Sequence, residues 1–139
     1  MPVEQTLAIV KPDATARNIS GKIIARIEEE DFTIRAIRMV RLSKPEAERF
    51  YEVHRGKKFF SSLTDFMSSG SVVALCLERE NAITKWREVM GATNPAQAAQ
   101  GTIRSAYGID VEKNSVHGSD SAENAKIEVG FFFSGLELV

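Results

Sequence analysis

The run Ser71-Val72-Val73-Ala74-Leu75-Cys76-Leu77 constrains this chain more than any other segment, because it offers almost no polar group to a wet face. A short apolar run bounded by turn formers reads as a buried strand, and one this apolar belongs at the centre of a sheet. Thr6 to Val10 reads as a second buried strand, ended by Lys11-Pro12-Asp13. From Phe32 to Leu42 the apolar Ile34, Ala36 and Val40 alternate, imperfectly, with Arg35, Arg38 and Arg41. That pattern predicts a strand with one wet face.

Helical spacing fills the intervals. Ile23, Ile24 and Ile27 share a face, with Ser20 as the expected N-cap. Ser43-Lys44-Pro45-Glu46 has capping-box spacing and opens a helix in which Ala47, Phe50, Tyr51 and His54 recur. Ala82, Ile83, Trp86, Val89 and Met90 mark a helix over Asn81 to Met90, and Gly91 stops it. A last helix starts near Asp120 or Ser121 and ends in the Phe131-Phe132-Phe133 run. Gly91 to Asn114 is weakly periodic and far longer than an ordinary connection, which predicts a functional loop. Strands and helices alternating without a dinucleotide-type glycine fingerprint suggest an α+β sandwich. A small, mostly antiparallel sheet with helices on one face would fit.

Composition sets outer bounds. With 139 residues, 43% hydrophobic and 27% charged, a single domain spanning 1–139 with a proper core is expected. Net charge is -1 and no long basic run occurs, so nucleic acid is not an expected partner. Any anion site must be gathered locally by the fold. The start, Met1-Pro2-Val3-Glu4-Gln5, does not read as a signal peptide, and no apolar run approaches the ~20 residues that span a bilayer. The one cysteine, Cys76, cannot close an intrachain disulfide and reads as a buried thiol. A cytoplasmic protein that does not enter membranes is the resulting expectation.

No phosphate-loop, Gly-x-Gly-x-x-Gly, His-Glu-x-x-His or paired-cysteine pattern occurs, so the common nucleotide folds and zinc sites are not supported, and no cluster of carboxylates suggests a protein-built metal site. Two histidines remain. His117 lies in Asn114-Ser115-Val116-His117-Gly118-Ser119-Asp120. Neutral imidazole is a competent nucleophile near pH 7, and a carboxylate on one ring nitrogen leaves the other free to attack. Gly118 would admit close approach of a ligand or a positive φ, and Ser119 and Asp120 would orient the ring or cap the next helix. Taken alone, the segment reads first as a helix cap beside a surface histidine. His54 and Tyr51 project together at helical spacing, and by composition they read as a solvated residue and a partly buried one. Lys11, Arg87 and Arg104 are singly ordinary surface charges. Together with Thr93 and Asn114 they would supply the cations and donors that a polyphosphate needs.

Five motifs in order carry a resemblance across essentially the whole chain: Ile9-Val10-Lys11-Pro12-Asp13, Phe59-Phe60, Gly91-Ala92-Thr93-Asn94-Pro95, Gly101-Thr102-Ile103-Arg104, and Asn114-x-x-His117-Gly118-Ser119-Asp120-Ser121. Their order and spacing resemble those of nucleoside diphosphate kinases, and the short ending after Phe133 is similar to bacterial members. The resemblance implies a ferredoxin-like sandwich with a four-stranded antiparallel sheet. It implies transfer of a γ-phosphate, mainly from ATP, to diphosphates such as GDP by a ping-pong route. His117 would be phosphorylated at Nδ1, with Glu128 holding its other nitrogen and Ser119 bracing that carboxylate. Arg87, Thr93 and Arg104 would hold phosphates, assisted by Tyr51 and His54. Lys11 and Asn114 would bind the ribose, with Lys11 also reaching the phosphate in flight. Phe59 would stack on the base opposite Val111, near Leu63. Mg2+ would enter bound mainly through nucleotide phosphates, and a homotetramer or homohexamer is implied.

Three positions depart from the family pattern: Lys58 stands where proline usually precedes the phenylalanines, Ser71 where proline follows Ser69-Gly70, and Asp31 where glycine precedes Phe32. None touches the implied catalytic set, so loop rigidity is what they put in question. Two other functions fit fewer of these features. A phosphohistidine carrier would need His117 but not a base platform at Phe59, and transfer from ATP to free GDP separates it. A non-catalytic binding protein should display basic surface interleaved with aromatics.

Overall fold

The computed structural model describes residues 2–139. Its sheet holds four antiparallel strands in the order β2-β3-β1-β4, formed by β1 (Val3–Val10), β2 (Thr33–Val40), β3 (Val72–Glu80) and β4 (Val116–Gly118). The apolar run expected at the centre lies in β3, which pairs with β1 on one side and β2 on the other. This is the expected α+β arrangement of the ferredoxin-like type.

Helices cover both faces of the sheet, which corrects the expectation of one. Ala8, Val10, Val73, Leu75 and Leu77 pack against α1 (Pro12–Ala16), α2 (Ser20–Glu29), α5 (Ala82–Met90) and α6 (Ile103–Tyr107). Leu7, Ile9, Val72, Ala74 and Cys76 pack against α3 (Lys44–Phe50), α4 (Phe60–Met67) and α7 (Ala122–Phe132). Strands wetted on neither face lose their polar alternation, so the apolar run of β3 follows from two layers of helix. The edge strand β2 has its own irregularity. Ile34 faces Leu77 and Ala36 faces Cys76, so Arg35 is an extra residue in a bulge. Beyond it Ala36 and Val40 join the opposite core from Ile34, so they do not share the single apolar face that alternation suggested.

Local signals place several ends. Ser43 and Glu46 form the capping box of α3, Ser121 caps α7 through Asn124 N–H, and Gly91 ends α5 at φ +88°. Ser20 is the first residue of α2 rather than its cap, which is Ile19. Asp31 takes φ +66° after α2, a left-handed position that glycine occupies at no steric cost. The α1 and α4 helices and the short α6 inside the long loop escaped the pattern reading, since helices this short show little periodicity. Among the described residues no helix is long and apolar enough to cross a membrane.

Candidate active site

β4 carries His117 in its middle, opposite Ile9 of β1. Three groups fix the histidine. Its Nε2 lies 2.8 Å from Glu128 Oε1 of α7, Trp86 Nε1 donates to its carbonyl at 3.1 Å, and Phe50 stands edge-on at 5.4 Å between ring centroids. Ser119 Oγ donates to the same Glu128 oxygen at 2.9 Å while accepting from Leu7 N–H, so the carboxylate is tied back to β1. Among the described residues Nδ1 has no protein partner, which leaves one ring nitrogen available to a ligand. Of the two roles foreseen for Gly118, the backbone conformation excludes one. Its φ is not positive, and a Cβ there would fall 2.5 Å from Trp86 Cδ1 and 2.7 Å from Met90 Cε. It lets helix α5 pack closely and also lines the cleft into which His117 opens.

The histidine opens on a cleft of about 670 Å³, large enough for a small-molecule ligand. One end is cationic. Lys11 Nζ donates to Asn114 Oδ1 at 2.8 Å, and Asn114 Nδ2 spans to the carbonyls of Thr93 and Val111 at 3.0 Å each. Burial, and then the nearby Arg104 charge, push Lys11 down to about 8. Arg104 donates to the carbonyls of Gly91 and Val116, and its buried Nε is without a partner. Burial first, and Arg87 second, bring its pKa down to about 10. Two guanidiniums and an ammonium crowded at a concave surface are costly unless an anion joins them.

The rim is aromatic. Phe59, Leu63 and Val111 line the other end, with the His54 ring 5.3 Å from Phe59. Tyr51 and His54 are not on one α-helix, because α3 ends at Phe50 and His54 lies in a 3-10 turn. The turn still stacks the two rings, with centroids 6.3 Å apart. The Tyr51 hydroxyl is buried without a partner, and burial beside Glu128 pushes its pKa up, so it remains a phenol. Partial burial, then the Lys57 ammonium, hold His54 below its usual range. Thus Lys11, Tyr51, His54, Phe59, Leu63, Arg87, Thr93, Arg104, Val111, Asn114, His117 and Glu128 all line this one cleft. Ser119 lies behind it. Sequence reasoning missed Phe50 and Trp86 as supports of His117, and no local pattern marks either one apart from ordinary helix packing.

A family model described as Nucleoside diphosphate kinase matches residues 4–138. The chain belongs to the nucleoside diphosphate kinase family. It is 56% identical to the nucleoside diphosphate kinase of Geobacter sp. strain M21, over 99% of this chain and 100% of that one. It is 53% identical to that of Persephonella marina, over 100% and 99%. Among solved structures, the Aquifex aeolicus nucleoside diphosphate kinase superposes with TM-score 0.98 at 48% identity, covering 99% of this chain and 100% of that one. The Halobacterium salinarum nucleoside diphosphate kinase in complex with CDP gives TM-score 0.95 at 36% identity, covering 99% and 92%. As a nucleoside diphosphate kinase, the chain is a phosphotransferase that moves the γ-phosphate of a nucleoside triphosphate to a nucleoside diphosphate.

Proposed function

We propose that His117 is the phosphoryl relay of this kinase. Its Nδ1 attacks the γ-phosphorus, the bond to the bridging oxygen breaks, and the nucleoside diphosphate leaves. In the second half-reaction a terminal oxygen of an incoming diphosphate attacks phosphohistidine and takes the phosphoryl group away. The carrying observation is the 2.8 Å contact between His117 Nε2 and Glu128, which supports a tautomer with Nδ1 as the bare nitrogen. Phosphoryl transfer needs mainly alignment and charge neutralisation. Arg87, Arg104 and Lys11 supply the charge, with Thr93, Tyr51 and His54 as further phosphate contacts. Lys11 and Asn114 hold the ribose, and Phe59 and Val111 sandwich the base beside Leu63.

Magnesium belongs to the substrate on this reading. Lys11, Arg87 and Arg104 line the cleft for the phosphates, and the ion would enter bound mainly through nucleotide oxygens and water. The enzyme works in the cytoplasm as a homotetramer or homohexamer, a reading supported by the family pattern and by the exposed Ile37 and Met39 of edge strand β2. Light scattering on purified protein separates the two sizes. The functional test is a coupled assay of ATP with several diphosphates. His117→Ala should lose transfer while still binding nucleotide, and full activity in that variant would sink the assignment.

A further inference from the structure

Between Asn114 and His117 the chain turns a corner that nucleotide contacts do not explain. Val116 N–H donates to the Asn114 carbonyl at 2.9 Å, an i to i+2 bond, and Ser115 between them has φ +75°. That is the strained form of γ-turn, which persists only where its surroundings over-determine it. On one side of the corner Asn114 meets Lys11; two residues beyond it stands His117. The β4 ladder spans only three residues and cannot alone fix so sharp a corner.

Buried Asp13 supplies the missing constraint. Its Oδ2 accepts from Ser115 Oγ at 3.1 Å and from Arg17 Nη2 at 3.2 Å. The same Arg17 nitrogen reaches the Tyr107 carbonyl at 2.7 Å, which ties in the end of α6. Lys11 N–H donates to the Ser115 carbonyl at 2.9 Å, so the corner is pinned through side chain and backbone. Asp13 Oδ1 meanwhile is buried without a partner. Such an orphaned oxygen is costly, and natural cores avoid it unless the group has a further role.

We propose that Asp13 is a positioning residue for phosphoryl transfer, holding the strained Ser115 corner so that Asn114, Lys11 and His117 stand in register. It touches no substrate and acts through Ser115 and Arg17. The proposal rests on His117 as nucleophile. Its test is a cycle of Asp13→Ala, Ser115→Ala and the double variant, read as single-turnover phosphorylation by magnesium ATP. Each single change should slow labelling about tenfold, because small displacements of a reacting group are expensive. The double variant should be little slower than the slower single, since Asp13, Ser115 and Arg17, whose Nη2 also donates to Ser115 Oγ at 3.3 Å, form one cluster.

A second readout separates positioning from packing. The charged groups facing Lys11 are Arg104, Asp13, Glu112 and Asp110. Asp13→Asn removes one of the carboxylates that favour its ammonium, so the alkaline limb of kcat/KM should move to lower pH. Wild-type labelling rates, or additive losses with an unmoved limb, would overturn the proposal even where melting temperature falls. If Asp13→Ala does not fold, Ser115→Ala decides alone, because it leaves the Asp13–Arg17 pair intact. In every variant the label should map to His117; label elsewhere breaks the nucleophile assignment rather than this one.

Discussion

The two ends of the cleft are built differently. At the phosphate end Lys11 is 7% exposed, Arg104 8% and Asn114 1%, and each is hydrogen-bonded to backbone or to another member of the set. At the base end Phe59 is 47% exposed and Val111 57%, and their apolar side chains offer no group for a hydrogen bond to fix. Buried order at the phosphate end is that of Lys11, Arg104 and Asn114, with Arg87 and Thr93 exposed beside them, and the base end has no such buried set. On the proposed assignment, such a site would hold phosphorus in line with a nitrogen and accept any flat ring, which suits a kinase acting on many diphosphates.

The largest contrast should appear with pH. Below about 8 Lys11 carries its charge, and above it the free enzyme loses that charge. We expect kcat/KM for the magnesium ATP donor to fall about tenfold per pH unit beyond the limb, since the donor meets the unphosphorylated enzyme and this constant follows free-enzyme ionisation. The limb should vanish in Lys11→Ala. Folding responds with the opposite sign. A depressed lysine costs stability in full below about 8, and the cost is relieved between about 8 and its ordinary 10.5. Denaturant melts across that window should therefore show this contribution rising while activity falls.

The base end should yield a smaller and less selective effect. Phe59→Ala should weaken all diphosphates by a similar ~1–3 kcal/mol, because every base offers a π-face. Competing purine and pyrimidine diphosphates should stay within about a hundredfold in kcat/KM. A loss confined to one base would overturn the platform reading.

How far the sequence exposed these two ends depends on what holds them. The central strand was legible because helices on both faces leave β3 no polar position. Capping box, Gly91 stop and Ser121 region were legible because each solves a local backbone problem. His117 stood out only through the family motif, since imidazole, glycine and serine in a row also make an ordinary helix cap. Its supports, Phe50 and Trp86, lie far away in sequence and look like core residues. Asp13 and Ser115, 102 residues apart along the chain, left no local trace of their contact.

The smallest effect tests rigidity at the base end. Phe60 N–H donates to the Lys57 carbonyl at 3.1 Å, and Phe59 has φ -82° and ψ -7°, so Lys57 to Phe60 form a type I turn. Lys58 occupies its second position, where proline is favoured, and its amide makes no backbone hydrogen bond. Lys58→Pro should stabilise the fold by about 0.4–1 kcal/mol and lower KM slightly, by leaving less ordering for the nucleotide to impose. Lys58→Ala is the control. Equal loss of affinity in both, with no gain in melting temperature, would show that the charge matters rather than the stiffness.

The ordered end makes its sharpest claim about a single nitrogen. Incubation with ATP alone, followed by phosphorus NMR of the alkali-stable, acid-labile phosphoprotein, reads which ring position carries the phosphoryl group. With Glu128 holding Nε2 at 2.8 Å, the signal should be that of Nδ1-phosphohistidine, mapping to His117. A label on Nε2, or on any other residue, would contradict the account.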